Sequence, residues 1–370
     1  MTETVDAQGD GDMTATDMSL LERAQQQGAP LIDGDRVTFV WEGESAPGLI
    51  GDFNQWGSSP TGITYLERVV QNVWAVTLTL PPDAYMEYIF TSDPDDDDAR
   101  LLDPLNPLQV SNGIGKVNNY FLMPECHDPN LDQFISGLPQ GRVTRHAISS
   151  ESLVLGMRRD VWLYHPPTKE PVPLLVVLDG RDYMRLADIT QMVANMIGLN
   201  LIRPIALALI DNAKQGRFVE YNASEAAVMM INTFVIPLAY AHLKLIDTDH
   251  QPGVWGILGA SMGGTQALYT ALRQPQIFGK VIGQSGAYNL QINGIDSIVM
   301  KLVKDASRKD LKLWLDCGIY DTLLDQNRAL HTLLTARGYD VTYREYNAGH
   351  NYSAWSMSLP EALKTLFPPE

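Results

Sequence analysis

Gly259-Ala260-Ser261-Met262-Gly263 sets a serine between two glycines, and Gly264 follows at once. The G-x-S-x-G pattern suits one kind of chemistry, attack by a hydroxyl held on a tight turn. It comes after the apolar run 253–260 and opens the helical pattern Met262–Arg273. A serine on so sharp a turn has a strained backbone, and its neighbours must lack bulk for strand and helix to approach. The start of the helix aims its dipole and free N–H groups at the same place, which favours a developing oxyanion. The plainer reading is a glycine-rich strand-to-helix turn without chemical purpose.

A serine hydroxyl is a poor nucleophile without a base. Elbows of this kind occur in chains that run serine, acid, histidine. Only His331 and His350 follow Ser261. His331 lies inside a helix pattern (RALHTLLTA), where a surface or packed histidine is ordinary. His350 lies in NAGHNYSAW, after the strand pattern VTYREYN, where a base can hang from a loop and reach the elbow. The acid belongs after the preceding strand, LKLWLDCG, in IYDTLLD. Asp321 is the expected acid. Asp316 sits still within the strand, Asp325 within the next helix, and Asp340 in a turn. The acid's role is to hold the imidazole tautomer and stabilise the imidazolium.

An oxyanion needs two donors. The N–H of Met262 is one. The other comes from the loop after an earlier strand, PLLVVLDGRDY, through Gly180 or Arg181, with Arg181 favoured. DGRD also reads as a simple strand exit.

These residues need a frame to hold them. From Met1 to Asp128 the net charge is −17, and from Pro129 to Glu370 it is zero, so the whole excess of the 370-residue chain lies in its first third. Two regions of different design follow from that. A neutral larger region beside an acidic one excludes nucleic acid as a partner, since phosphate binding needs a basic face. At 45% hydrophobic residues, most of the chain can bury a core. Two cysteines, Cys126 and Cys317, give neither a disulfide framework nor a zinc spacing and fit a reducing compartment. No apolar run reaches the roughly 18 residues of a membrane span. The N-terminus lacks the basic and apolar parts of a signal peptide, so a cytoplasmic location is expected.

Residues 1–28 read as an acidic disordered tail leading into a short helix. RVTFVWEG, YLERVV, VWAVTLTL, YMEYIFTS and NNYFLMP are short β-rich runs between Gly, Pro, Asn and Asp clusters, which predicts a small all-β, immunoglobulin-like sandwich over 29–124. The acidic run 93–99 reads as a solvated hairpin tip, without the spacing of a calcium loop. Residues 125–140 read as a linker. From 141 to 370 strand patterns alternate with helix patterns, including one long helix over Ser224–Leu245 and a closing helix over Leu359–Phe367. That alternation means an α/β domain with a mostly parallel sheet flanked by helices. The 287–310 segment is the only sizeable insertion available as a lid.

With these residues in view, 141–370 resembles the putative-esterase family of α/β-hydrolases, which includes enterochelin, feruloyl and acetylxylan esterases, the esterase D type and mycolyltransferases. The resemblance rests on VWLYHPP, VVLDG, RFVEY, LGASMGG with QSG after it, DCGIYD and AGHNYSAW. It implies an α/β-hydrolase fold and a Ser261, Asp321, His350 triad. Arg217 and Glu220 match a family segment near the active-site mouth, which implies substrate positioning by Arg217 or an ion pair that locks the loop. Trp355 lines an acyl pocket or serves as a core aromatic. Ser285 and Cys317 read as structural. The first region is similar to the early-set, isoamylase-type module, with GDFNQW (51–56) as its motif. Trp41, Trp56 and Trp74 there are candidates for stacking on a sugar, although tryptophans of such sandwiches are more often core aromatics.

The expected activity is serine carboxylic-ester hydrolysis through an acyl-enzyme, with no metal or cofactor. The expected substrate is a siderophore or general small-molecule ester, with a feruloyl- or acetylxylan-type carbohydrate-linked ester as the alternative. Arg181, Arg185, Lys214 and Arg217 are the cations in position to meet a polyanion. An acyltransferase of the mycolyltransferase type and a non-enzymatic carbohydrate-binding protein are the alternatives. A homo-oligomer is compatible with the sequence, and no nucleic-acid or membrane partner is expected.

Overall fold

The computed structural model describes residues 19–369, apart from 94, 95, 97, 114, 150–155, 157 and 292. Most of the expected tail, and part of the acidic run 93–99, lie outside the described residues. The chain forms two compact units. One comprises Met1–Pro82, Glu87–Val110 and Asn118–Pro124, and the other Asp83–Met86, Ser111–Val117 and Glu125–Glu370.

The first unit opens with α1 (Leu20–Gln27), capped reciprocally by Ser19 and Glu22. Ten strands follow: β1 (Leu31–Asp33), β2 (Arg36–Glu42), β3 (Gly48–Gly51), β4 (Thr64–Tyr65), β5 (Glu67–Val70), β6 (Val73–Thr79), β7 (Tyr85–Thr91), β8 (Arg100–Leu101), β9 (Gln109–Ser111) and β10 (Val117–Leu122). One sheet runs β1-β2-β6-β5, and the other β4-β3-β7-β10-β9 with β8 beside β7. YLERVV is not one strand. It breaks at buried Leu66, β4 pairing with β3 in one sheet and β5 with β6 in the other. Phe39 of β2 joins the sheets through ring contacts with Tyr88 (4.9 Å) and Phe121 (5.8 Å).

GDFNQW is a structural corner. The buried Asn54 side chain accepts from the Gly51 and Gly57 N–H groups and donates to Leu49 O and Thr64 Oγ1. Asp52 accepts from Glu87 N–H and from Trp56 Nε1. Trp41, Trp56 and Trp74 are half-buried, with Arg100 over Trp56 and Arg68 over Trp74.

The second unit is built on an eight-stranded sheet. Its strands are β11 (Arg142–Ser149), β12 (Arg158–His165), β13 (Leu174–Val177), β14 (Ala206–Ile210), β15 (Trp255–Ala260), β16 (Phe278–Gln284), β17 (Lys312–Gly318) and β18 (Asp340–Tyr346). Their order is β11-β12-β14-β13-β15-β16-β17-β18. The first three strands in that order pair antiparallel, and from β14 onward every pair is parallel. Successive residues of the central strands enter opposite hydrophobic layers. Leu174, Val176, Ala206, Ala208 and Ile257 face one, while Leu175, Val177, Leu207, Leu209 and Leu258 face the other. A strand buried on both faces must be apolar at every position, which is why these runs carry no alternation.

The flanking helices are α2 (Gly180–Leu186), α3 (Ile189–Gly198), α4 (Arg217–Glu220), α5 (Glu225–Met230), α6 (Ile236–His242), α7 (Met262–Arg273), α8 (Ile298–Asp305), α9 (Leu324–Ala336) and α10 (Tyr352–Leu366). Three expectations are corrected here. The long helix over Ser224–Leu245 is not continuous: α5 passes through a π-helical turn, Ile231–Val235, into α6, which ends at His242. Pro237 lacks an N–H, and a widened turn relieves its clash with the preceding carbonyls. The closing helix starts at Tyr352 rather than Leu359, because Asn351 caps it through the Ala354 N–H. The 287–310 segment is not a lid. It carries α8, whose Val299, Met300 and Val303 pack into the core. Among the described residues no single helix is long and apolar enough to cross a membrane.

Candidate active site

Brought together at the C-terminal ends of the parallel strands are the residues that follow β13, β15, β17 and β18. Ser261 follows β15 directly and has φ 56° and ψ −124°. A non-glycine residue held there costs on the order of 1–3 kcal/mol and needs support on all sides. The support is tight packing. A Cβ on Gly259 would lie 2.3 Å from the backbone of Gly263, and one on Gly264 would lie 3.1 Å from Gly286 Cα. The Ser261 N–H donates to Gln284 O, which ties the elbow to β16.

His350 ends the turn after β18, just before the cap of α10, and its Nδ1 lies 2.7 Å from Asp321 Oδ2. Burial alone would raise the Asp321 carboxyl. The facing imidazole, the Leu323 N–H and the Ser285 hydroxyl outweigh it and hold the group below its ordinary value. An ionised carboxylate can only accept, so Nδ1 carries the proton and Nε2 is left as a base. Ser261 and His350 line one cavity of about 720 Å³. The structure thus gathers Ser261, His350 and Asp321 in one place. His331 lies elsewhere, stacked on Tyr343. Asp316 is fully buried beneath the site, where burial pushes its carboxyl up to about 6 despite donors from Trp314, Gln284, Ser358 and Tyr346. Asp325 is in the first turn of α9, and Asp340 begins β18.

Gly180 and Arg181 open α2, and Met262 opens α7, so their N–H groups have no intrahelical acceptor. The Arg181 side chain turns to Asp211 (2.8 Å) and over the Trp162 ring, and it does not line the cavity.

Arg217 and Glu220 do not pair with each other, which corrects the loop-locking pair expected between them. Arg217 grips Asp179 through Nε and Nη2, both at 2.7 Å. Glu220 accepts from Arg159 (2.9 Å) and from the Ala213 N–H. The two residues face different partners because α4 is a single turn, and its sides meet different strand ends. Trp355 is a buried aromatic at the edge of the cavity. It donates to Ser285 Oγ at 3.1 Å and lies edge-on to His350. Ser285, read as structural, also touches the acid through its hydroxyl.

Sequence reasoning missed several lining residues. Asn112 and Gly113 reach the cavity from the 111–117 segment, and Tyr352 from the first turn of α10. Asp182 lines it as well, with its carboxyl raised by burial and by Asp179. The position of Asp182 in the DGRD turn after β13 was the available signal. Of the four cations weighed, only Lys214 and Arg217 line the cavity. Among the described residues no group of three or more His, Cys, Asp or Glu side chains could hold a metal ion.

The family described as Putative esterase matches residues 152–366. An iron(III) enterobactin esterase of Escherichia coli is 26% identical over 279 residues, covering 73% of this chain and 68% of the relative. An iron(III) salmochelin esterase of Escherichia coli is 22% identical over 328 residues, covering 80% and 78%. The solved ferric enterobactin esterase of Salmonella typhimurium superposes with a TM-score of 0.79 at 21% identity, covering 94% of this chain and 98% of that one. That likeness is one of fold, an α/β-hydrolase-like esterase fold. The chain belongs to the putative esterase family, and it is an esterase.

Proposed function

We propose that this chain is a serine ester hydrolase of the enterobactin-esterase group, working through a Ser261, His350, Asp321 triad and an acyl-enzyme. One observation carries the reading: the strained Ser261 and an imidazole whose Nδ1 is held by Asp321 face the same cavity. In this mechanism Ser261 Oγ attacks the ester carbonyl carbon while His350 Nε2 takes its proton. The oxyanion is met by the N–H groups of Met262 and of Arg181 or Gly180. The C–O bond then breaks, and His350 returns the proton to the leaving alkoxide. Water, deprotonated by the same Nε2, frees the acyl group and restores Ser261.

The relatives named for iron(III) enterobactin and salmochelin support a bulky, multi-ester siderophore as the substrate, and a cavity of about 720 Å³ has room for part of one. We read the all-β unit as an early-set, immunoglobulin-like module preceding the catalytic domain at 141–370. The test is Ser261→Ala. Turnover of p-nitrophenyl acetate and labelling by a fluorophosphonate should both disappear, the former by about 10⁴-fold or more. Full activity in a folded S261A protein would overturn the proposal.

A further inference from the structure

Gln284 ends β16, and its backbone carbonyl takes the Ser261 N–H at 2.9 Å. Its side chain is fully buried and is bonded at both ends. Oε1 accepts from the Tyr183 hydroxyl at 2.9 Å, while Nε2 donates to Trp355 O at 3.0 Å and to Ser358 Oγ at 2.8 Å. A backbone carbonyl can only accept, so the amide has one orientation here. Ser358 Oγ in turn donates to buried Asp316 at 3.0 Å. The partners sit on the elements that carry the chemistry. Tyr183 is on α2, whose first residues are Gly180 and Arg181. Trp355 and Ser358 are on α10, which begins at Tyr352 just after His350. The Trp355 ring lies edge-on to the His350 imidazole at 5.0 Å and donates to Ser285 Oγ. One amide therefore joins the elbow, the proposed oxyanion turn and the helix behind the base. Among the described residues the buried Tyr183 hydroxyl has no other partner, so an apolar side chain at 284 would strand it.

We infer that Gln284 is a positioning residue for ester hydrolysis. Through Tyr183 it sets the α2 turn that offers the second oxyanion donor, and through Trp355 it sets the helix that follows the base. Both are fixed against the Ser261 elbow. Gln284 does not line the cavity and touches no reacting atom. The inference rests on Ser261 acting as the nucleophile, and it deepens that reading by naming what keeps the oxyanion donors and His350 in register with it. Donors aimed at a developing oxyanion act in the transition state, so misplacing them lowers kcat and spares KM.

The test measures p-nitrophenyl acetate kinetics and the rate of fluorophosphonate labelling, at a temperature where circular dichroism shows each variant folded. Gln284→Met keeps the length and removes both ends of the amide. Its kcat and labelling rate should fall together by roughly 10- to 100-fold, with KM within about twofold of the wild type. Tyr183→Phe removes only the α2 arm and should lower kcat by about fivefold, again at constant KM. The double variant should be no slower than Q284M alone, because the Tyr183 hydroxyl acts through the amide. A folded Q284M protein that melts lower yet keeps the wild-type kcat overturns the inference and leaves Gln284 a part of the core. A loss confined to KM overturns it too, as do single losses that multiply in the double variant. If Q284M does not fold, Y183F decides alone, and wild-type kcat and labelling in it overturn the inference. A wild-type protein that neither labels nor turns over any ester overturns the serine-hydrolase reading itself, a result distinct from an active enzyme indifferent to these changes.

Discussion

Arg217 holds Asp179 with two hydrogen bonds of 2.7 Å, and Asp179 is the residue just before the N–H groups at the start of α2. Its carboxylate has no exposure, and it also accepts from Asn212 Nδ2 at 2.6 Å. Burial opposes the Arg217 charge, but the two Asp179 contacts overcome that and raise the guanidinium well above its ordinary value. The pair is a brace on the proposed oxyanion-binding turn rather than a free cation for substrate. Removing the arginine strands a buried carboxylate, a loss of about 3–5 kcal/mol. Arg217→Gln should lower the melting temperature and reduce kcat more than it raises KM. Arg217→Lys should recover only part of both, because an ammonium cannot reproduce the fork. Thermal melts with steady-state kinetics decide this, and an R217Q protein of wild-type stability contradicts it.

Two aspartates near the site differ in kind. Asp321 is held ionised by His350, whereas burial drives Asp316 up to about 6. Asp321→Asn should reduce kcat by roughly 10⁴-fold through loss of the correct imidazole tautomer. Asp316→Asn should leave the triad in place and act on stability. The folded value of Asp316 stands above the ordinary carboxylate value of about 4. Its contribution to stability is therefore full below about pH 4 and is lost as pH rises through about 6. Between about pH 7.5 and pH 4.5 the wild type should gain stability relative to D316N by on the order of 2 kcal/mol. Parallel pH dependences for the two proteins count against the buried-acid account.

Ser285 stands between Trp355 and the acid. It accepts from Trp355 Nε1 at 3.1 Å, and its hydroxyl helps keep Asp321 ionised. We expect Ser285→Ala to cut kcat by about tenfold with KM nearly constant, the cost of one hydrogen bond to a charged group. Ser285→Thr should retain more activity than Ala if its methyl finds room. A change in KM alone would mean that Ser285 serves packing near the substrate instead.

Gly259 has no freedom to carry a side chain. Its Cβ would come within 2.3 Å of the Gly263 backbone, so strand β15 and helix α7 would have to part. Gly259→Ala should cost roughly 1–3 kcal/mol or more and abolish fluorophosphonate labelling before it abolishes folding. Retention of both by G259A would mean that the elbow is looser than its geometry indicates.

Much of this was legible in the residues. The elbow motif, the alternation of apolar strands with helices, and the loops carrying His350 and Asp321 all depend on short stretches of chain. Local sequence governs turn geometry and burial pattern, so they read directly. Two of the misreadings passed over local signals, and the third was decided by distant residues. The helix over Ser224–Leu245 is interrupted because Pro237 meets carbonyls already committed to helix. The closing helix starts early because Asn351 can cap it, and the 287–310 segment packs inward because α8 completes a core layer.

The same division holds at the site. The residue types and their order along the chain were enough to name Ser261, Asp321 and His350 as candidates. Which carboxylate each cation meets was not. Arg217 reaches Asp179 across 38 positions and ignores Glu220 three residues away, while Arg159 claims Glu220 from 61 positions away. Only folding sets these pairs, because an ion pair forms wherever burial brings opposite charges together, whatever their separation in sequence. The pairing of charges around the cavity therefore belongs to the tertiary structure alone.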